Sequence, residues 1–240
     1  MNKETVRSQI CYDGYGGRAR CLFARHLARI WRYKEVGISG SRTMSKGDET
    51  RARIIEQSAP LFNKQGFAGT ALSDLMEATG LQKGGIYRHF SSKEELAAEA
   101  FDYAWRKAIE IRAHGLDSTP NAVDRLKRMV ENFVELRTGL VPGGCPLMNA
   151  AIDSDDGNGV MRERARGALR NWQSRLAAIV KRGLKDRQIR AGIEPDQLAA
   201  LVISQLEGAL MMSRINQSRQ PLEWAKVHLT DYLETRVRAS

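Results

Sequence analysis

The chain has few of the residues that build metal centres and disulfide frameworks. Its 240 residues include three cysteines and four histidines. Cys11, Cys21 and Cys145 lie far apart and show no metal-ligand spacing, and the histidines have no cysteine or acidic motif beside them. This composition predicts no bound metal and no cofactor, with the cysteines as free thiols in a reducing compartment.

Long apolar runs, a secretory leader and strand patterns are missing as well. No run of about 18 apolar residues indicates a membrane span, and no cleavage-site pattern follows the first residues. These absences predict a cytoplasmic protein without a membrane partner. Apolar residues recur at helical spacing, so the expected fold class is all-α.

Positive charge is concentrated at the start of the chain. The formal net charge is +10: residues 1–43 hold nine Lys or Arg and three acids, a balance of +6, and the other 29 basic and 25 acidic residues leave +4. Attraction to DNA is therefore expected on one face of the remainder. A helix is predicted over Arg18–Lys34. One interpretation of this segment is a basic arm that adds affinity for DNA or a membrane surface. The preferred interpretations are a floppy extension or a natural start of the protein at Met44.

The most informative segment is Thr70–Leu96, in which two short helical patterns meet at Gly80 and a third helix follows. Thr70 is predicted to cap the first helix, and Gly80 to end it by adopting positive φ. Ser92 and Glu95 predict a capping box that starts a long helix near Lys93. This order is typical of a helix-turn-helix DNA reader.

The second helix, from about Gln82 to His89, is too short to be stable without support from behind. Leu81, Ile86 and Phe90 are predicted to form its inner face. Lys and Gln on the outer face can bond guanine and adenine, and Tyr and His can hold phosphates. Paired glycines at this place predict a close approach of the backbone to the duplex.

At this point the sequence resembles the TetR (tetracycline-repressor) family of bacterial transcription factors. The resemblance is carried by RARIIEQSAPLFNKQGF from Arg51 to Phe67, then G-T-x-L-x-D-L, T-G-L-x-K-G-G-I-Y-R-H-F and S-K-E-E-L. It implies an all-α homodimer on palindromic operator DNA. The implied domains are a disordered or weakly helical basic extension (1–44), a three-helix DNA-binding domain (45–92) and a domain for effector binding and dimerisation (93–240).

The resemblance also implies the residues that contact DNA. Its phosphate-contacting positions are Thr70, Tyr87, His89 and Lys93, its base-facing positions are Gln82, Lys83 and Gly84, and Arg88 is a weaker candidate. Relatives often have Ser or Thr in place of Gln82, and Ser, Thr or Ala in place of Gly85. Sequence specificity is therefore expected to differ from theirs.

The C-terminal half is predicted to provide an interface and a pocket. Wide apolar bands follow Glu194-Pro195 and Gln220-Pro221, and the resemblance implies that these last two helices form the dimer interface. The resemblance also implies an effector cavity, for which aromatic and methionine side chains are candidates, although core packing is the simpler interpretation of each. These candidates are Phe101, Trp105, Met129, Phe133, Met148, Trp172 and Met211.

Cys145 is the eighth pocket candidate, in G-G-C-P-L-M-N-A-A at a predicted helix start. There the helix dipole would lower the thiol pKa and favour reaction with electrophiles. The segment is similar to a G-C-L-x-x-N-like stretch in a TetR subgroup that includes electrophile sensors. The alternative is a small residue in a tight buried turn.

The predicted function is a ligand-responsive repressor, released from DNA by a small apolar or electrophilic effector. The alternative is a constitutive or architectural DNA binder without an effector. A cysteine enzyme using Cys145 lacks a His and Asp arrangement nearby, so no enzymatic activity is expected.

Overall fold

The computed structural model describes residues 45–135, 140–153 and 159–240, and residues 45–240 form one compact unit. The predicted all-α fold is confirmed. Within the described residues there is no strand, and a single isolated antiparallel bridge pairs Ile189 with Arg238. The helices are α1 (Lys46–Gly69), α2 (Leu72–Thr79), α3 (Lys83–Tyr87), α4 (Lys93–Arg112), α5 (Ala122–Glu135), α6 (Pro146–Asp153), α7 (Gly159–Lys185), α8 (Pro195–Ile215) and α9 (Gln220–Tyr232).

The predicted basic extension over residues 1–44, with its helix over Arg18–Lys34, lies outside the described residues. After α9 the chain forms a π-helical turn, Leu233–Val237, which precedes the bridge at Arg238.

The first helix is interrupted near its end. Gly66 has φ of 74° and ψ of 175°, which lie outside the helical region and favour glycine. The carboxylate of Asp153, from α6, accepts a hydrogen bond from the Phe67 N–H at 2.7 Å. A residue of the C-terminal part of the chain therefore satisfies a backbone donor that the break exposes.

The turn between α2 and α3 forms as predicted, but the start of α2 does not. Gly80 has φ of 66° and ends α2. The Thr70 hydroxyl donates to the Gly66 carbonyl at 2.7 Å, and Ala71 occupies the cap position, its N–H donating to the Asp74 carboxylate at 3.1 Å. The predicted Thr70 cap is wrong because this hydroxyl closes the end of α1 instead.

The capping box of α4 is only half as predicted. The Ser92 hydroxyl accepts the Glu95 N–H at 3.2 Å. The Glu95 carboxylate returns to the N–H and hydroxyl of Ser91, at 2.7 and 2.6 Å, rather than to Ser92. At the start of α5 the Asn121 side chain accepts the Val123 N–H at 2.9 Å.

Two main apolar cores lie within the compact unit, beside a small third cluster of Ala59, Ala100, Ala104 and Val141. The smaller joins α1 to α4 through five buried side chains: Ile54, Leu75, Ile86, Phe90 and Leu96. The larger fills the space among α4 to α9 and includes Trp105, Met129 and Trp172. Of the described helices, only α8 has the length and composition to cross a membrane, which the sequence analysis did not anticipate; a core helix of a soluble protein meets the same criterion.

The packing of α7 against α5 requires a glycine. A Cβ at Gly183 would lie 2.6 Å from the Ala122 Cβ and 2.7 Å from the Ile189 Cδ1, whereas a Cβ at Gly167, also on α7, would meet no heavy atom within 4 Å. We expect Gly183→Ala to lower the free energy of unfolding by about 1–3 kcal/mol through overpacking. Gly167→Ala should raise it by up to about 1 kcal/mol through helix propensity. Chemical denaturation measures both, and equal effects would contradict this packing.

Candidate DNA-reading surface and the centre of the C-terminal core

The third helix presents one face to solvent and buries the other. Ile86 and Phe90 are only 1% and 2% exposed and belong to the smaller core, as predicted. The opposite face carries five exposed residues, which we call the recognition surface: Gln82, Lys83, Gly84, Tyr87 and Arg88. His89 is half-buried beside it.

Neighbouring helices hold this short helix in position. The Arg51 guanidinium, from α1, lies 4.5 Å from the centroid of the Phe90 ring. It also pairs with Glu95 at 3.3 Å and with Glu99, both on α4. One cation–π contact and two ion pairs of Arg51 thus join α1 to α4 and to Phe90, which follows α3.

The glycines of α3 differ in their surroundings. A Cβ at Gly85 would lie 3.4 Å from the Leu81 Cβ, an ordinary contact, whereas a Cβ at Gly84 would meet no heavy atom of the described chain within 4 Å. Packing within the protein therefore does not require glycine at Gly84. The space in front of it is open to a partner.

Two other predicted DNA contacts lie at the break in α1. Thr70 is fully buried through its bond to Gly66. The Lys93 ammonium donates to the Phe67 carbonyl at 2.7 Å and lies 4.5 Å from the centroid of its ring. Both side chains are thus engaged in contacts within the chain, and their contacts with DNA stay predictions.

An amide network joins the DNA-reading helices to the C-terminal part. Asn63 of α1 donates to the carbonyls of Pro142 and Gly144 at 3.1 and 3.2 Å. Asn149 of α6 donates to the carbonyls of Asn63 and Gly143 at 2.8 and 3.0 Å. The sequence carries no local signal for this network, because Asn63 and Asn149 lie 86 residues apart along the chain. A cavity of about 30 Å³, which Phe101 helps to line, lies beside it.

A buried guanidinium occupies the centre of the larger core. The Arg112 side chain is 8% exposed. Its guanidinium carbon lies 4.1 Å from the centroid of the Trp172 ring, 4.8 Å from Phe133 and 5.1 Å from Trp105. Its nearest carboxylate oxygen belongs to Glu207 of α8, at 3.7 Å. Sequence reasoning missed both charged residues; the one available signal was an acidic residue inside the apolar band of α8.

Comparison with known proteins identifies this arrangement of helices. Residues 54–100 match the profile of the N-terminal domain "Bacterial regulatory proteins, tetR family", and residues 122–229 match "Tetracyclin repressor-like, C-terminal domain". A TetR transcriptional regulator from Chloroflexus aurantiacus J-10-FL is 46% identical in sequence, with a TM-score of 0.78 over 82% of this chain and 100% of that one. The chain belongs to the TetR family of transcriptional regulators.

Other TetR-family proteins are similar over most of their length. The structure of a regulator from Cytophaga hutchinsonii is 32% identical and has a TM-score of 0.78, covering 83% of this chain and 100% of that one. The transcriptional repressor DhaR from Mycobacterium sp. (strain GP1) is 24% identical over 173 residues, which cover 72% of this chain and 86% of DhaR.

The residues predicted to line a TetR-family effector pocket are only partly brought together. Phe133 and Cys145 line a cavity of about 50 Å³ beside Arg112. Trp105, Met129 and Trp172 are buried in the larger core, Met148 packs against it, and Phe101 lies at the other cavity. Met211 is 47% exposed on α8 and is not among the side chains that line either cavity.

The environment of Cys145 is the opposite of the one expected for a reactive thiol. The thiol donates to the Glu207 carboxylate at 2.9 Å and lies 3.3 Å from the Arg112 Nη2. Burial raises the pKa of Cys145 to about 11; the Arg112 charge opposes the rise and Glu207 adds to it. The expectation of a lowered pKa is therefore wrong, because loss of solvation outweighs the helix dipole.

We expect Cys145 to be alkylated slowly in the folded protein. A pKa near 11 instead of 9 leaves roughly a hundredfold fewer thiolates at pH 8. Peptide-resolved mass spectrometry with iodoacetamide should show at least that slowing relative to the protein in guanidinium chloride, and the native rate should rise with pH towards 11. A native rate within about threefold of the unfolded rate would contradict this environment.

Proposed function

We propose that the chain is a cytoplasmic, ligand-responsive transcriptional repressor that binds palindromic operator DNA as a homodimer and releases it when a small molecule binds. The observation that carries the proposal is the recognition surface. Five residues suited to base edges and phosphates share one exposed face of a helix whose other face is anchored in a core. This mode of action is typical of the TetR family.

The recognition surface divides into two roles. Gln82 and Lys83 stand at the start of α3, where side chains reach base edges in the major groove. Tyr87 and Arg88 follow at its end and are placed to hold phosphates, which set the register of the helix on the duplex. The open space at Gly84 lets the backbone approach the bases.

The last two helices support a homodimer. Six large apolar side chains are exposed along α8 and α9 although both helices belong to the larger core: Leu201, Met211, Met212, Ile215, Trp224 and Val227. A soluble monomer rarely leaves so wide an apolar band in water. A second copy placed face to face would cover the band and carry two α3 helices to major grooves about 34 Å apart.

Helix α4 supports the coupling of effector binding to release. Its start holds Arg51 through Glu95 and Glu99, and its end carries Arg112 into the larger core. A shift of α4 caused by a ligand near Arg112 would move the support of α3. The two recognition surfaces of a dimer would then no longer match one operator.

We expect Lys83→Ala and Tyr87→Phe to affect DNA binding differently. Lys83→Ala removes a base contact and should relax the preference at one base position, at a cost of about 1–3 kcal/mol for the preferred base. Tyr87→Phe removes a phosphate contact and should weaken binding to all sequences alike. Selection from random duplexes with each variant, followed by titration, measures both effects. An unchanged preference in Lys83→Ala would refute the assignment of α3 as the recognition helix.

We expect Val227→Glu to dissociate the dimer. Val227 is 65% exposed on α9, and a charge buried at the interface without a partner is costly. Ile152→Glu is the matched control, because Ile152 is 71% exposed but lies on α6, outside the proposed interface. Analytical ultracentrifugation should show monomers for the first variant and dimers for the second. Dimers in both would refute the α8–α9 interface.

A further inference from the structure

Arg112 is incompletely paired inside the larger core. Its Nη2 donates to the Cys145 sulfur at 3.3 Å, and the nearest Glu207 oxygen, at 3.7 Å, lies beyond hydrogen-bond distance. Its Nη1 is buried and has no hydrogen-bond partner among the described residues. A guanidinium with a buried, unused donor is strongly disposed to bind an oxygen acceptor.

The three aromatic rings around Arg112 do not supply a hydrogen-bond acceptor for its Nη1. Trp105, Phe133 and Trp172 lie 4.1–5.1 Å from the guanidinium carbon, so they compensate its charge through their π-systems. The N–H groups of a guanidinium point outward in its own plane and require acceptors there. Ring contacts stabilise the cation in its place and leave its Nη1 donor free.

The residues that line the cavity beside Arg112 suit a small apolar molecule with one polar end. Its volume is about 50 Å³, and apolar side chains of α4, α5, α8 and α9 together with Leu140 and Pro146 form most of its wall. Arg112 and Asn132 supply the polar groups. The described residues that the ligand would touch are Arg112, Asn132, Phe133, Leu140, Leu210 and Leu222.

The charges of this centre favour an anionic ligand over a cationic one. A ligand cation would compete with the Arg112 guanidinium for the same three ring faces. Burial raises the pKa of Glu207, although the Arg112 charge opposes the rise, so the carboxyl takes up a proton more readily than in water. At 3.7 Å the Glu207 carboxylate offsets the Arg112 charge incompletely, and an incoming carboxylate would complete the compensation.

We propose that this cavity binds an apolar carboxylic acid, whose carboxylate accepts hydrogen bonds from Arg112 and whose hydrocarbon part packs against Phe133, Leu210 and Leu222. The inference rests on the ligand-responsive function proposed above and names the chemical class of the ligand. Binding enlarges the cavity, because pockets for ligands of this kind occupy several times its present volume, typically about 300 Å³ or more.

The test uses probes of one shape and different charge. Isothermal titration calorimetry of the full chain compares benzoate with benzamide and benzylamine, and octanoate with octanamide and octylamine. The carboxylates should bind at least about tenfold more tightly than the amides, because a carboxylate pairs its own charge with the guanidinium and can accept two parallel hydrogen bonds from it. The amines should bind no more tightly than the amides.

Two variants and a control tie the preference to Arg112. Arg112→Gln should abolish the difference between acid and amide. Glu207→Gln keeps the size of the side chain, removes the competing negative charge and should tighten carboxylate binding several-fold. Arg128→Gln is the control, because Arg128 is exposed on α5 and pairs only with its neighbour Glu131 among the described contacts. If circular dichroism shows that Arg112→Gln does not fold, Arg112→Lys with Glu207→Gln decides the question, with a partial loss expected for the lysine.

Several results would overturn the inference. These are tighter binding of the amines, binding of none of the six probes, and an acid preference that persists in Arg112→Gln or does not increase in Glu207→Gln. Release of selected operator DNA is measured separately. A carboxylate that binds at Arg112 without releasing DNA supports the acid site and refutes the ligand-responsive function, whereas release by an amine alone refutes the acid site and supports that function.

Discussion

The DNA-reading face depends on burying two side chains of a helix that could not exist alone. A five-residue helix in water does not recover the entropy lost in its nucleation. Burial of Ile86 and Phe90 supplies the missing free energy, on the order of 1.5–3 kcal/mol for each large apolar side chain. The exposed residues of α3 are therefore displayed by α1, α2 and α4, and any change in those helices reaches the recognition surface.

The same helices belong to the C-terminal part of the protein. Helix α4 contributes Leu96 to the smaller core and Trp105 to the larger one. Helix α1 is bound to α6 through Asn63 and Asn149, whose amides satisfy loop carbonyls that have no helical partner. These contacts join the DNA-reading helices directly to the C-terminal part of the protein, so a displacement in one part is transmitted to the other through few residues.

Sequence reasoning succeeded where neighbouring residues decide the structure. Gly80, Ser92 and Glu194-Pro195 mark helix ends through local backbone chemistry, and all three are found as predicted. Sequence reasoning failed where a residue far along the chain determines the local structure or the pKa. The Thr70 hydroxyl bonds to a break in α1 that no periodicity reveals. The Cys145 pKa depends on burial and on Glu207, which lies 62 residues further along the chain.

The Arg112 guanidinium ties together residues from four helices and a loop. Three rings, a thiol and a carboxylate face one charge, so each of them is adapted to the same neighbour. A mutation of Arg112 that removes its charge leaves Glu207 buried without a counter-ion. A mutation that removes one of the rings takes away a cation–π contact of the guanidinium. These positions are thus expected to change together during evolution, because a substitution at one of them alters the surroundings of a charge that the others also contact.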